Sequence, residues 1–268
     1  MLRFAANLST MFDEPDEYAR LNHITQLGFR YLEWLFPYNC DKTQIAERLN
    51  ALDLELVLIN AASGVAENGD RGIGALPGRE DEFKRAMTQA LDYADVLNIP
   101  MIHVMAGICP APSDRNEYLD TFANNLAWAS QQTNGSSTQL LVEPLNNVDV
   151  PNYLISTSQE ALELISLVNA NVGLQFDFYH LQIMEGNLGQ SLRTQFDQIA
   201  HIQFSSLPGR HEPQYGEVNC GYLFKLLESL SYAGFIGCEY RPKTTVEDGL
   251  SWAKPYGIGV SDSNAISS

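Results

Sequence analysis

Four apolar runs in the second half of the chain each end on a strongly polar residue. They are Glu143 in the run 140–145, Asp177 in 172–177, Gln203 in 201–204 and Glu239 in 235–240. Each run has the length and composition of a short buried strand. An ionised carboxylate in such a place is strongly disfavoured unless something compensates it. A single residue of this kind is accounted for by a neighbouring Arg or Lys. Three carboxylates and an amide, one per successive strand, point instead to convergence on one cation. All-oxygen ligation suits a hard divalent ion, Mg2+ or Mn2+, better than zinc or copper.

Other reactive residues fall just beyond these runs. His180 follows Asp177 by three residues and Asp149 follows Glu143 by six, which puts both in loops above their strands. Arg210 and His211 supply positive charge in a long loop after the run at 201–204. Glu33 closes an earlier apolar run and reads as the partner of a basic neighbour. His23, His103 and His201 read as structural, His103 as a hydrogen-bonded core residue.

To bring these groups together, the strands must be neighbours with their C-terminal ends on one side. Apolar, β-rich runs recur at about 2–8, 29–35, 54–60, 100–105, 138–144, 172–178, 200–205 and 235–240. Amphipathic stretches alternate with them. The clearest is 79–97, with Phe83, Met87, Ala90, Leu91 and Ala94 at helical spacing; 118–131 and 158–168 read alike. Asp41, Ser113 and Thr157 are candidate helix caps. Eight strand–helix units in about 255 residues predict an α/β fold, a single (β/α)8 TIM barrel over 1–256 with a flexible C-terminal tail at 257–268. No glycine-rich phosphate fingerprint follows the first strand, so a dinucleotide fold lacks support. The long loops 61–77 and 206–218 then lie over the C-terminal mouth, where barrel active sites are built.

The 268 residues include 16 basic and 33 acidic side chains, a net charge of −17. That balance argues against nucleic acid and anionic membrane as partners. A small anionic substrate remains compatible through a local basic pocket. No signal-peptide pattern opens the chain, and no apolar run reaches the roughly 18 residues a membrane span needs. Cys40, Cys109, Cys220 and Cys238 form no CxxC pair and read as reduced thiols of a cytoplasmic protein. The composition is compatible with a homo-oligomer.

Several stretches together are similar to the hydroxypyruvate isomerase family, within the xylose-isomerase-like barrels. They are 4–8, 28–33, 36–38, 71–73, 77–79, 142–146, 175–182, 184–186, 208–213 and 237–240, and the similarity runs from Met1 to about Tyr256. The resemblance implies that Glu143 and Glu239 are the acid/base pair and that Glu143, Asp177, Gln203 and Glu239 are the metal-site positions. In related ketose epimerases the positions matching Asp149, His180 and Arg210 touch substrate. The chain departs from the family pattern at 61–67, at 214–217 and around Ser205–Pro208, all in loops over the site.

The expected reaction is interconversion of hydroxypyruvate and 2-hydroxy-3-oxopropanoate (tartronate semialdehyde) by metal-assisted proton transfer through an enediolate, without nicotinamide or flavin. The substrate is a 2-oxo acid or sugar acid whose carboxylate Arg210 or His211 would bind. Alternatives are 2-oxotetronate isomerisation, ketose 3-epimerisation and, from another class, a non-catalytic sugar-acid-binding barrel. The histidine-rich trinuclear zinc site of the endonuclease IV branch has no counterpart among five histidines.

Overall fold

Each apolar run becomes a strand in the computed structural model, which describes residues 1–259. The strands are β1 (Arg3–Asn7), β2 (Tyr31–Glu33), β3 (Glu55–Ala61), β4 (Met101–Val104), β5 (Gln139–Val142), β6 (Val172–Asp177), β7 (Ile199–Phe204) and β8 (Phe235–Cys238). They pair in parallel in chain order, and β8 closes on β1. The helices are α1 (Glu17–Gln26), α2 (Lys42–Leu52), α3 (Glu80–Leu97), α4 (Arg115–Gln132), α5 (Ser158–Val168), α6 (Phe178–Met184), α7 (Leu188–Gln195), α8 (Cys220–Ser229) and α9 (Val246–Gly249).

Two of the three expected caps form. Asp41 accepts the N–H groups of Thr43 and Gln44 at the start of α2, and Thr157 forms a reciprocal capping box with Glu160 at α5. Ser113 does not cap α4. A 3-10 turn over Pro112–Asp114 intervenes, and the Ser113 hydroxyl donates to Asp114 instead. α3 buries Phe83, Met87, Ala90 and Ala94 as their spacing predicts, together with Tyr93 and Leu97, while Leu91 is only half-buried against the core. β2 is shorter than its apolar run, because the ladder to β3 shifts register between Leu32 and Glu33. At the chain's end, Gly259 donates its N–H to the Leu27 carbonyl and Ile258 is buried, so 257–259 are tied to the barrel. The rest of the expected tail, 260–268, lies outside the described residues.

Register partners on parallel strands point to the same side, and this sorts the barrel interior into layers. At the base, Leu58, Met101 and Leu141 pack with Ala5, Tyr31 and Phe235 as a small apolar cluster. The larger core lies between strands and helices, where Phe4 meets Phe204, Phe224 and Trp252 edge-on. Above the base the interior turns polar. The Glu33 carboxylate accepts from Asn7 Nδ2 at 3.0 Å and Gln203 Nε2 at 2.8 Å, and lies 2.5 Å from His201 Nε2. Gln175 Nε2 donates to Gln203 Oε1 at 2.6 Å. Gly237 makes room for this group: a Cβ there would collide with Glu33 Oε1. Glu33 thus pairs with a basic residue, as its strand-end position suggested. His103 differs from expectation. It is buried, yet neither ring nitrogen has a hydrogen-bond partner, and burial pushes it down to about 3.

Candidate active site

The third layer, at the C-terminal mouth, holds the acidic residues. Asp177 ends β6 and lies in register with Gln203 on β7, while Gln203 faces Gly237 on β8. Glu239 is two residues beyond Gly237 and therefore one layer higher on the same face. Glu143 directly follows β5. The strand pleat alone thus directs Glu143, Asp177, Gln203 and Glu239 into the barrel.

Their partners differ. One Asp177 oxygen caps α6 by accepting the Tyr179 N–H at 2.8 Å, and the other has no hydrogen-bond partner. Glu143 Oε1 is likewise buried and unpartnered, while its Oε2 lies 3.4 Å from His103 Nδ1. Glu239 accepts from Arg210 Nη2 at 2.8 Å, and the same nitrogen lies 3.8 Å from Asp177 Oδ2. Gln203 is occupied by Glu33 and Gln175. The structure therefore brings Glu143 and Asp177 together with His180, holds Glu239 through Arg210, and leaves the Gln203 amide bonded to Glu33 and Gln175.

Burial is the largest influence on all three carboxyls and pushes them up. Glu143 rises well above its ordinary value, with the charges of Glu239 and Asp177 adding to burial. Asp177 rises to about 6 and Glu239 to about 7, with Arg210 as the main opposing influence on both. Asp177 and Glu239 thus exchange protons near neutrality. His180 moves the other way, because burial and Arg210 both disfavour its charged form.

Glu143, Asp177 and His180 each offer one ligand atom, all within 4.8 Å of one another. With the two orphaned carboxylate oxygens, this buried group can hold a metal ion: a cation is what an unpartnered buried carboxylate lacks.

Arg210 is set by its loop. Its backbone lies in the left-handed region at φ 53°, a conformation that costs a non-glycine residue about 1–2 kcal/mol. The Arg210 N–H donates to Ser206 O, and the Arg210 carbonyl accepts from Arg241 N. The guanidinium lies over the Tyr179 ring at 4.9 Å. Tyr179 in turn donates its hydroxyl to Asp149 Oδ2 at 2.9 Å, which ties Asp149 to the same side of the mouth. His211 is not brought in. Its Nδ1 lies 2.8 Å from the Arg241 carbonyl.

Two residues that the sequence did not single out build the site. Asn146, fully buried, links the β5 loop to His180 and Asp149. An Asn soon after a strand-end glutamate is the only signal it leaves. Glu212, fully buried in the loop after β7, accepts the Lys243 N–H and braces that loop against the one after β8. No periodicity marks it.

This arrangement of fold and site has relatives. The family model described as the xylose isomerase-like TIM barrel matches residues 21–256. The 2-oxo-tetronate isomerase of Cupriavidus necator is 42% identical, covering 96% of this chain and 99% of its own length. The hydroxypyruvate isomerase of Escherichia coli (strain K12) is 40% identical, covering 96% and 100%. A solved structure from Brucella melitensis described as an AP endonuclease, family 2, is 42% identical at a TM-score of 0.93, covering 96% of this chain and 99% of that one. The chain belongs to the xylose isomerase-like TIM-barrel family, within its hydroxypyruvate isomerase branch.

Proposed function

We propose that the protein is a metal-assisted isomerase of short 2-oxo acids that interconverts hydroxypyruvate and 2-hydroxy-3-oxopropanoate. One observation carries this reading: three carboxyls with raised pKa, the buried Glu143 and Asp177 and the half-buried Glu239, gather around the Arg210 guanidinium at the barrel mouth. The names of the relatives at 40–42% identity agree with it.

The reaction moves a carbonyl by one carbon. C3 gives a proton to a carboxylate, C2 receives one from a carboxyl, and the hydroxyl proton passes from O3 to O2, so the formula is unchanged. Glu143 and Glu239 stand on strands three steps apart in the barrel and serve the two carbon centres from different sides. Glu239, raised to about 7, exists in both protonation states near neutral pH, as general acid–base work requires. Burial together with the charges of Glu239 and Asp177 raises Glu143 well above its ordinary value. Arg210 binds the substrate carboxylate, for which its planar fork is suited, and Asp149 and His180 line the substrate position. His211 takes part only if its ring leaves the Arg241 carbonyl. Glu143, Asp177, Gln203 and Glu239 are the residues that would hold Mg2+ or Mn2+. When bound there, such an ion would supply Lewis-acid stabilisation of negative charge on substrate oxygen.

A second reading, isomerisation of the four-carbon 2-oxotetronate, is favoured by the Cupriavidus relative. Steady-state turnover of hydroxypyruvate and of 2-oxotetronate, each with Mg2+ and with Mn2+, tests both. Turnover of one acid names the substrate. Binding of both without turnover would leave a sugar-acid-binding barrel. The nuclease name of the Brucella structure has little support in this site, where among the described residues the candidate metal group holds one histidine in a chain of net charge −17.

A further inference from the structure

The histidine of the metal-compatible group has its proton placed by the protein. Asn146 Oδ1 accepts two main-chain N–H groups, from Val148 at 3.1 Å and Asp149 at 2.8 Å. That fixes the amide's orientation, so it is Nδ2 that faces the His180 ring. Nδ2 donates to Asp149 Oδ2 at 3.1 Å and lies 2.7 Å from His180 Nδ1. The Asn146 main-chain N–H donates to the same ring nitrogen at 3.1 Å. Two N–H donors therefore converge on Nδ1, which can only accept. Arg210 Nη2, which can only donate, lies 3.5 Å from Nε2, a longer contact than those of the two donors at Nδ1. Asp177 Oδ2 is an acceptor 3.6 Å from the same nitrogen. The balance places the ring proton on Nε2, which faces the site.

From this we infer that Asn146 is a positioning residue which locks His180, placed above at the substrate position, as a neutral Nε2–H donor. A nitrogen that carries a proton has no lone pair to give a cation. It can donate to an oxygen that gains negative charge, and the neighbouring Arg210 Nη2 makes a second donor beside it. Donors fixed in advance where charge develops are worth about 10²–10³ in kcat each. The role at substrate oxygen rests on the isomerase reading above, whereas the tautomer does not.

Nitrogen-15 NMR of the histidine-labelled protein, with the His180 signals identified from their loss in His180→Gln, reads the tautomer without substrate or metal. The expected result is a pyridine-type Nδ1 and a pyrrole-type Nε2. A pyrrole-type Nδ1 or an imidazolium in the native protein overturns the inference. Asn146→Asp replaces the donor facing Nδ1 with an acceptor, so the proton should move to Nδ1 or the ring should charge. An unchanged Nε2–H tautomer in that variant removes the positioning role. If Asn146→Asp does not fold, a pair of substitutions at 180 decides. The Gln amide reaches the place of Nε2–H, whereas the shorter Asn amide mimics Nδ1–H. His180→Gln should therefore keep at least about tenfold more kcat than His180→Asn, a fraction of one donor's worth. Equal loss in both overturns the donor role. Failure to turn over either 2-oxo acid would count against the isomerase reading and leave the NMR result standing.

Discussion

Arg210→Ala removes the guanidinium that lies between Glu239 and Asp177 at the acidic mouth. At an effective dielectric constant of about 20, attraction between unit charges 2.8 Å apart comes to roughly 6 kcal/mol. The Arg210 side chain is 25% exposed and the Glu239 side chain 12%, so desolvation and partial screening take back about half of this. A loss of about 2–4 kcal/mol in transition-state binding follows, or about 30- to 1000-fold in kcat/KM. Loss of the positive charge should also raise Glu239 and Asp177 further, since Arg210 is the main influence holding both down. The acidic limb of the kcat/KM profile then moves to higher pH. Arg210→Lys should recover only part of the activity, because an ammonium lacks the bidentate fork. The assay is steady-state isomerisation of hydroxypyruvate beside dihydroxyacetone, a neutral analogue. A larger loss on the anionic substrate is expected. An equal loss on both would mean that Arg210 serves Glu239 alone, and a ketose substrate would replace the 2-oxo acid.

Glu143→Gln and Glu239→Gln should each lower kcat at least about 10²-fold, and the double variant little more than the worse single one, as groups acting together do; near-native turnover in either would end the two-carboxyl mechanism. Carboxyls raised in the folded state give stability that is full below their unfolded pKa of about 4 and is lost as pH rises through their folded values. For Asp177 and Glu239 that window ends at about 6 and about 7. Without added metal, thermal melting should therefore show this loss from about pH 4 to 7. Excess Mg2+ or Mn2+ should raise Tm more at pH 8 than at pH 5, because protons compete for the same oxygens; a pH-independent metal effect would place the ion elsewhere. Gly237→Ala should cost about 1–3 kcal/mol by overpacking and weaken Mn2+ binding by calorimetry, since the new Cβ collides with the carboxylate that holds Gln203. Unchanged stability and affinity would show that the polar layer tolerates displacement.

The strands were legible because a period of two leaves an apolar trace, and Glu143, Asp177, Gln203 and Glu239 stood out by breaking it. The pleat carried them into the barrel as that reading required. Their partners were not legible. The Glu33–His201 pair spans 168 residues, a separation that no local pattern encodes. The Gln203 amide is taken up by Glu33 and Gln175, and its alignment with Asp177 follows a β6–β7 register shift between Leu174 and Gln175 that residue types do not mark. Loop residues fared worse. His211 and Arg210 are adjacent in sequence, yet the left-handed backbone at Arg210 sends one side chain into the mouth and leaves the other against Arg241. Asn146 and Glu212 act through main-chain N–H groups, which leave no mark on residue type.

The polar middle layer sets a limit on engineering this barrel. A buried acid–imidazole pair such as Glu33–His201 can often be exchanged for apolar side chains of similar volume at no loss, or with a gain of about 1–4 kcal/mol. Glycine at 237, which leaves space for that carboxylate, could then give way to a larger residue. A stabilisation campaign guided by melting temperature alone would select such changes. It would also release the Gln203 amide from the Glu33 oxygen that fixes it. Thermal robustness and a formed active site are in opposition at positions 33, 201 and 237, and a hardier, inert barrel is the outcome to screen against.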